Sequence, residues 1–403
     1  MKIAYYTSYW GPELEKRCGI TIPPSSNTIK SQGIARSLMA AGHDVTIFCS
    51  GVNSAHKVIN SFSEKIIFPE GVLIVKYPKM WSFPKFTPIN DLSLSWFLSK
   101  EVRQNDYDIF LYYNICNNAY LGSYMYLKYF KKQFKILEYE DNIFMKSLVG
   151  NKTRRTWLKK LIYNYLIKRT DGLFAVCKGM YDEEPIRYKL LTPGIINQEV
   201  VDNVSSRVNI LRSGLPVRIF LAGGAEYYKG SDLLIQSLHY VKYPCELYFF
   251  TTRESFYATA KKEIDKLPEI HQVIIHDPIP HSKLIKLLDE EADILANSTR
   301  GFGMNPTSAG FPSKMMEYAA LGRPIVSSEI GKLDEEFNSK VTYYEGENAE
   351  NIAKCIEEII EHYDEKERLS LELQKIALSQ YTIAGTAEKM KSFFENIPEL
   401  NGR

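Results

Sequence analysis

Residues 311–328 read Phe311-Pro-Ser-Lys-Met-Met-Glu-Tyr-Ala-Ala-Leu-Gly-Arg-Pro-Ile-Val-Ser-Ser328: a helix opening, a short helix, a glycine stop and a buried strand. Pro312 and Ser313 are start signals, with Ser313 the expected N-cap. Met315, Met316, Tyr318, Ala319, Ala320 and Leu321 suit a helix. Gly322 suits the left-handed position that ends one, Pro324 forbids continuation, and Ile325 and Val326 begin a strand. With Ser313 as cap, the amides of Lys314, Met315 and Met316 point outward at the positive end of the helix. Lys314 adds a full charge there, which makes an anion site. Glu317, one turn further, repels a phosphate but accepts hydrogen bonds from a neighbouring diol. Phosphate donors followed one turn later by a diol acceptor describe a nucleoside-diphosphate site. The alternative is a plain amphipathic helix packed on a sheet, and the rest of the chain must decide.

At 403 residues the chain is long for one core, so two domains are expected. A net charge of +2 implies no global field for nucleic acid, and no such partner is expected. The cysteines (Cys18, Cys49, Cys116, Cys177, Cys245 and Cys355) are scattered without a Cys-x-x-Cys pair. That argues for a reducing compartment and against structural zinc. The first ten residues hold too short an apolar run for a signal peptide. Residues 109–127 are uncharged but contain Asn114, Asn117 and Asn118, and read as strand, loop and tyrosine-rich helix, not a membrane span. A cytoplasmic location is expected.

Short apolar runs alternate with helical patterns throughout, the signature of parallel α/β sheets. The first set of strands falls at 2–7, 45–49, 72–77, 108–113, 134–138 and 172–176. A break falls at 190–197, and the next segments are polar and strand-poor. A second set then runs through 217–221, 247–250, 273–276, 294–296, 324–328 and 341–344, and 382–399 is helical. The expected division is therefore 1–196, 197–381 and a tail at 382–403.

The second set opens with Arg218-Ile-Phe-Leu-Ala-Gly-Gly-Ala-Glu-Tyr-Tyr-Lys-Gly-Ser-Asp-Leu-Leu-Ile-Gln-Ser-Leu238. A strand runs into Gly223 and Gly224, where backbone can approach a ligand, and Lys229 stands at the start of a helix. Lys229 precedes Gly230 instead of following a glycine, so this is not a P-loop. An ordinary strand-to-helix turn is the alternative.

Together, the segments at 218–238 and 311–328 resemble the donor site of retaining glycosyltransferases of GT-B fold, in the large family 4 group. The resemblance implies two Rossmann-like α/β domains with a cleft between them and a C-terminal helix crossing back to the first. It implies that Lys229 neutralises a donor diphosphate and that Glu317 holds the ribose hydroxyls. The usual family pattern is Glu, seven residues, Glu; here Ala309 stands where the first glutamate contacts the sugar, and Ser308 and Thr307 are neighbouring candidates. The arginine usual after the loop glycines is replaced by Ala225 or Glu226. His276-Asp-Pro-Ile-Pro-His281 resembles the loop lining the base pocket, which brings in Ile279. His276 and His281 lack a third partner for a metal site. Arg253 follows a strand at its carboxyl end and is a candidate phosphate contact, with a solvated loop arginine as alternative. Gly301-Phe-Gly303 would frame the sugar pocket.

On the acceptor side, Gly19, Ile20 and Thr21 open a loop where the family has paired glycines; a surface loop is the alternative. Leu137-Glu-Tyr-Glu-Asp-Asn142 closes a strand with three carboxylates. Alternation sends Glu138 and Glu140 to one side and leaves Asp141 at the carboxyl end, a candidate to take a proton from an acceptor hydroxyl. A solvated strand end is the alternative. Asp106-Tyr-Asp108 matches a metal–diphosphate signature but precedes a buried strand, so it reads as a strand-entry turn. No cofactor and no catalytic metal are expected. Residues 142–170 carry Lys146, Lys152, Arg154, Arg155, Lys159, Lys160, Lys168 and Arg169 with no acidic residue after Asn142 before Asp171. A basic amphipathic helix at 146–169 suits an anionic membrane at the inner face of the cytoplasmic membrane; a solvated face is the alternative.

The resemblance implies a retaining glycosyltransferase that moves a sugar from a nucleoside-diphosphate sugar to an acceptor hydroxyl, with a glycan or lipid-linked glycan in bacterial polysaccharide or glycoconjugate synthesis as the expected acceptor. Lys229, Lys314, Glu317 and Asp141 are the candidate catalytic residues, and Ser313 and Met315 complete the donor contacts. A sugar-nucleotide epimerase of the same fold and an idle nucleotide-binding relative are the alternatives.

Overall fold

In the first part of the chain the apolar runs become β1 (Lys2–Thr7), β2 (Asp44–Cys49), β4 (Gly71–Tyr77), β5 (Ile109–Tyr113), β6 (Phe134–Tyr139) and β7 (Gly172–Ala175). The computed structural model describes residues 1–19, 26–49, 58–81, 87–114, 133–140, 156–205, 208–223, 229–251, 253–301, 310–333 and 335–401. Two compact units account for them. The first is Met1–Val176 with Met180–Ile195 and Ile383–Arg403; the second is Ile196–Thr382 with Cys177–Gly179.

The first unit adds β3 (Phe62–Phe68) and β8 (Tyr188–Leu191), and its sheet runs β3-β4-β2-β1-β5-β6-β7-β8. Every neighbour pair is parallel except β3–β4. The central strands β1, β5 and β6 are buried on both faces, which is why they read as continuous apolar runs. Two elements differ from the expected organisation. Tyr188–Leu191 carries the sheet into the start of the expected break, and Pro12–Cys18 is a helix that the sequence pattern does not mark. Strand β8 is half-buried at every position, so no alternation marks it. The helix Ile383–Glu395 belongs to this unit because Met390, Phe393 and Phe394 join its core. The rings of Phe394 and His43 meet perpendicular with centroids 4.9 Å apart, and burial pushes the His43 pKa down to about 4.

The second unit holds β9 (Val217–Leu221), β10 (Cys245–Phe250), β11 (His271–His276), β12 (Ile294–Asn297), β13 (Ile325–Ser328) and β14 (Thr342–Tyr344). All neighbours are parallel, in the order β11-β10-β9-β12-β13-β14. The expected GT-B class, two parallel-dominated α/β sheets, is the observed one.

Among the parallel strands of each sheet the order reverses once, between β1 and β5 and between β9 and β12. The connections on the two sides of such a point leave toward opposite faces, opening a crevice at the carboxyl ends of the strands. Behind the second crevice, buried Arg323 donates to Glu367 at 2.9 Å and to the Asp289 carbonyl at 2.9 Å, while Glu367 accepts the Asn209 amide. No helix of the described residues is long and apolar enough to cross a membrane. Because Arg323→Ala strands a buried carboxylate, it should lower stability by about 3–5 kcal/mol in denaturant unfolding. Replacing Arg323 and Glu367 together by apolar residues should cost much less.

Candidate active site

The helix Lys314–Leu321 lies on the β9–β12 crevice, and its Tyr318 fixes it there. The buried Tyr318 hydroxyl accepts from the Ala222 amide at 2.8 Å and donates to the Ala296 carbonyl at 3.2 Å. Those two groups lie just beyond the last paired residues of the diverging strands, Phe220 and Leu295. Gly322 ends the helix with φ +65°, as its sequence position implies.

The helix start differs from the expected cap. Ser313 is itself helical (φ −54°, ψ −31°) and its side chain caps nothing. The amides of Met315 and Met316 are taken by the carbonyls of Pro312 and Ser313 at 2.9 and 3.2 Å. The turn therefore begins earlier than read, and the expected anion donors Met315 and Met316 are replaced by the first amides of the turn, those of Ser313 and Lys314.

The Lys314 ammonium reaches the Ala222 carbonyl at 3.4 Å. Burial pushes it down to about 7; the like charge of Lys229 is the second cause, against the pull of Glu317. Lys229 is brought there by close backbone approach. The Ser298 hydroxyl donates to its carbonyl at 2.8 Å, and Gly230 (φ +67°) passes so near that a Cβ would lie 1.9 Å from the Ser298 carbonyl oxygen. Only glycine fits at Gly230, which gives the Lys-Gly pair a structural reason.

Glu317 is half-buried one turn beyond Lys314, and its Oε1 lies 3.0 Å from His281 Nε2. The other ring nitrogen of His281 lies 3.2 Å from Glu199 Oε2. Sequence reading set His281 aside as a weak metal ligand. Its signal was its place at the start of a helix after the base-pocket loop, and no spacing rule joins it to Glu199 or Glu317. Ile279 is the half-buried residue of that otherwise exposed loop. Gly223 directly follows Ala222, and Arg253 opens the helix Arg253–Ile264. Gly224, the Arg253 side chain, Thr307, Ser308 and Ala309 lie outside the described residues. Among the described residues, no group of three or more His, Cys, Asp or Glu is placed to hold a metal.

The chain and its fold have counterparts among known proteins. Residues 208–375 match the family Glycosyl transferases group 1, and residues 32–183 match Glycosyltransferase Family 4. The chain is a GT-B glycosyltransferase. Sucrose-phosphate synthase from Thermosynechococcus elongatus superposes with TM-score 0.67 at 13% identity, over 98% of each chain. A glycosyltransferase from Rickettsia africae gives 0.60 at 15%, over 100% of this chain and 99% of the other. Anabaena HepE in complex with UDP gives 0.62 at 11%, over 98% and 100%. No curated protein matches the chain.

The glycosyltransferase's other switch point, between β1 and β5, gathers acids and hydroxyls. Glu138 is 1% exposed and accepts from the Tyr5 hydroxyl, while Glu140 pairs with Lys30 and accepts from the Tyr113 hydroxyl at 2.9 Å. Asn114, which sequence reading did not assign, holds this strand end. It adopts φ +49°, donates its amide to the Glu138 carbonyl at 2.8 Å and accepts the Glu140 amide at 2.9 Å. Asn tolerates that conformation better than most residues, a signal visible only once the strand end is known. Gly19 ends the helix Pro12–Cys18, its amide donating to the Glu15 carbonyl at 2.9 Å. Ile20, Thr21 and Asp141 lie outside the described residues. Asp108 accepts the Lys2 amide at 2.8 Å, the expected strand-entry role.

Burial first, and Glu140 second, push the Glu138 carboxyl up to about 8. The folded chain thus keeps a proton that the unfolded chain releases near its ordinary value of about 4.3. That contribution is fully present below the unfolded value and is lost as pH rises through about 8. Unfolding at successive pH values should show Glu138→Gln losing a decline of up to about 1.4 kcal/mol per pH unit between those limits.

Proposed function

We propose that this glycosyltransferase moves a sugar, with retention of anomeric configuration, from a nucleoside-diphosphate sugar to an acceptor hydroxyl. The observation that carries the reading is Lys314 at the β9–β12 crevice, its ammonium on the Ala222 carbonyl one helical turn before Glu317, with the Lys229–Gly230 backbone held against Ser298 beside it. As the bond to the sugar breaks, negative charge grows on the leaving diphosphate. A Lys314 ammonium held in a partly dehydrated site, with the charge of Lys229 nearby, favours that state more than the ground state. The reading needs no metal, since these lysines and the first-turn amides meet the charge. Glu317 accepts the ribose hydroxyls, and UDP, present in the HepE complexes, is the first base to test.

The carboxylate cluster at β6 would serve the acceptor hydroxyl, and Asp141, next in the sequence after Glu140, is proposed for the same task. A glycan or lipid-linked glycan in bacterial polysaccharide or glycoconjugate synthesis is the acceptor class proposed. Peripheral contact with an anionic membrane through 146–169 fits the exposed Leu161, Lys168 and Arg169 at the end of that stretch.

Thermal stabilisation by UDP, GDP or ADP, without and then with magnesium, tests the donor site. One base should shift the midpoint, and Glu317→Ala should abolish the shift. Lys314→Ala or Lys229→Ala should each lower transfer about 100- to 1000-fold, and near-normal turnover in both would sink the assignment. A bound diphosphate should also return Lys314 toward its ordinary value from about 7, so binding at pH 8 takes up protons. Calorimetry in two buffers of different ionisation enthalpy would read that uptake.

A further inference from the structure

His281 opens the helix His281–Glu291, and two other helices of the same unit bring a carboxylate to each of its ring nitrogens. Glu317 comes from Lys314–Leu321 at 3.0 Å, and Glu199 comes from Gln198–Asn203 at 3.2 Å. An ionised carboxylate only accepts hydrogen bonds, and a neutral imidazole has one N–H. Both contacts are therefore satisfied together only by the imidazolium. The charged groups acting on the ring are Glu317 and Glu199; burial opposes them, and with the Glu317 hydrogen bond as the largest cause His281 is pushed up to about 9.

Glutamate has three side-chain torsions, so a ribose-binding glutamate free in solvent must be ordered by its ligand. Here Oε1 of Glu317 is already tied to a ring that is itself tied at its far side. Oε2 is left to receive the diol from a fixed direction. Such support of a binding group by neighbours that do not touch the ligand is what preorganisation requires.

We propose that His281 is a positioning residue for the donor ribose: anchored by Glu199, its ring fixes the direction of the Glu317 carboxylate before the nucleotide arrives. The proposal rests on the assignment of Glu317 to the ribose made above. It sets His281 apart from the phosphate contacts, which Lys314 and Lys229 supply.

The test compares UDP, GDP and ADP with their 2′,3′-dideoxy counterparts by titration calorimetry, carrying the tightest-binding pair into the variants. The affinity ratio within a pair reports the ribose contact alone, because the titration of Lys314 affects both members through the shared diphosphate. His281→Ala should lower the ratio about tenfold while leaving the dideoxy ligand's affinity unchanged, which also shows that the fold persists. His281→Gln, which keeps one donor for Glu317, should hold the ratio within about threefold of wild type. In the wild type the ratio should stay level from pH 6 to 8 and fall as pH passes about 9, and His281→Gln should show no such fall. A wild-type ratio in His281→Ala, alongside a ratio erased by Glu317→Ala, overturns the role of His281 and leaves the donor site standing. Loss of dideoxy binding in His281→Ala overturns it too, since the role would then be structural. A ratio that survives Glu317→Ala, or no binding by any of the nucleotides, overturns the ribose assignment itself.

Discussion

Tyr318 closes the point at which β9 and β12 part. Two parallel strands that turn to opposite faces leave an amide and a carbonyl without sheet partners, and unpaired buried groups are costly. The Tyr318 hydroxyl satisfies both, at Ala222 and Ala296, and in doing so fixes the helix that carries it. Lys314 and Glu317 sit on that same helix, so their directions follow from the tyrosine. The opposite wall follows from Gly230, whose contact with Ser298 brings Lys229 toward Lys314. One hydroxyl and one missing side chain thus set where the cations stand.

The two sheets use the same topological device for opposite chemistry. At β9–β12 the converging groups are ammonium ions and amides, suited to a diphosphate. At β1–β5 they are carboxyls and phenols: Glu138 with Tyr5, and Glu140 with Tyr113 and Lys30. One of these carboxyls holds its proton near neutrality because water is excluded from it. A protonated carboxyl beside one paired with lysine can both donate to and accept from a hydroxyl. That is a distinct task from binding an anion.

What was legible in the sequence follows from burial. Central strands shielded on both faces leave an apolar run that needs no partner to be recognised, as in β1, β5 and β9. Edge strands do not: β3 reads Phe62-Ser-Glu-Lys-Ile-Ile-Phe68, and its Glu64 is buried because Tyr77 and the Glu13 amide bond to it from elsewhere. The turn carrying Lys314 and Glu317 was visible because Gly322 and Pro324 punctuate it. Its first residues were misread because a serine after proline has the composition of a cap, whereas Ser313 continues the turn. His281 was beyond reach, since its partners lie 82 and 36 residues away and only folding makes them neighbours.

Position along a strand then separates structural from chemical acids. At the amino ends, Asp108, Asp171 and Asp293 each accept a strand-opening amide, of Lys2, Lys135 and Arg218, at 2.8 Å. Those carboxylates complete hydrogen bonding that the sheet leaves open. At the carboxyl ends the same chemistry is held in tension: Glu138 is kept protonated, Lys314 is pushed toward neutrality, and Asn114 takes a left-handed backbone. None of these three arrangements is the lowest-energy choice for its residue in isolation, and each is imposed by the packing around it. They gather at the two strand-order reversals, where the topology opens a crevice. Asp106-Tyr-Asp108, which by composition alone could have been a metal site, falls at the other end of its strand, where an aspartate has a backbone amide to receive.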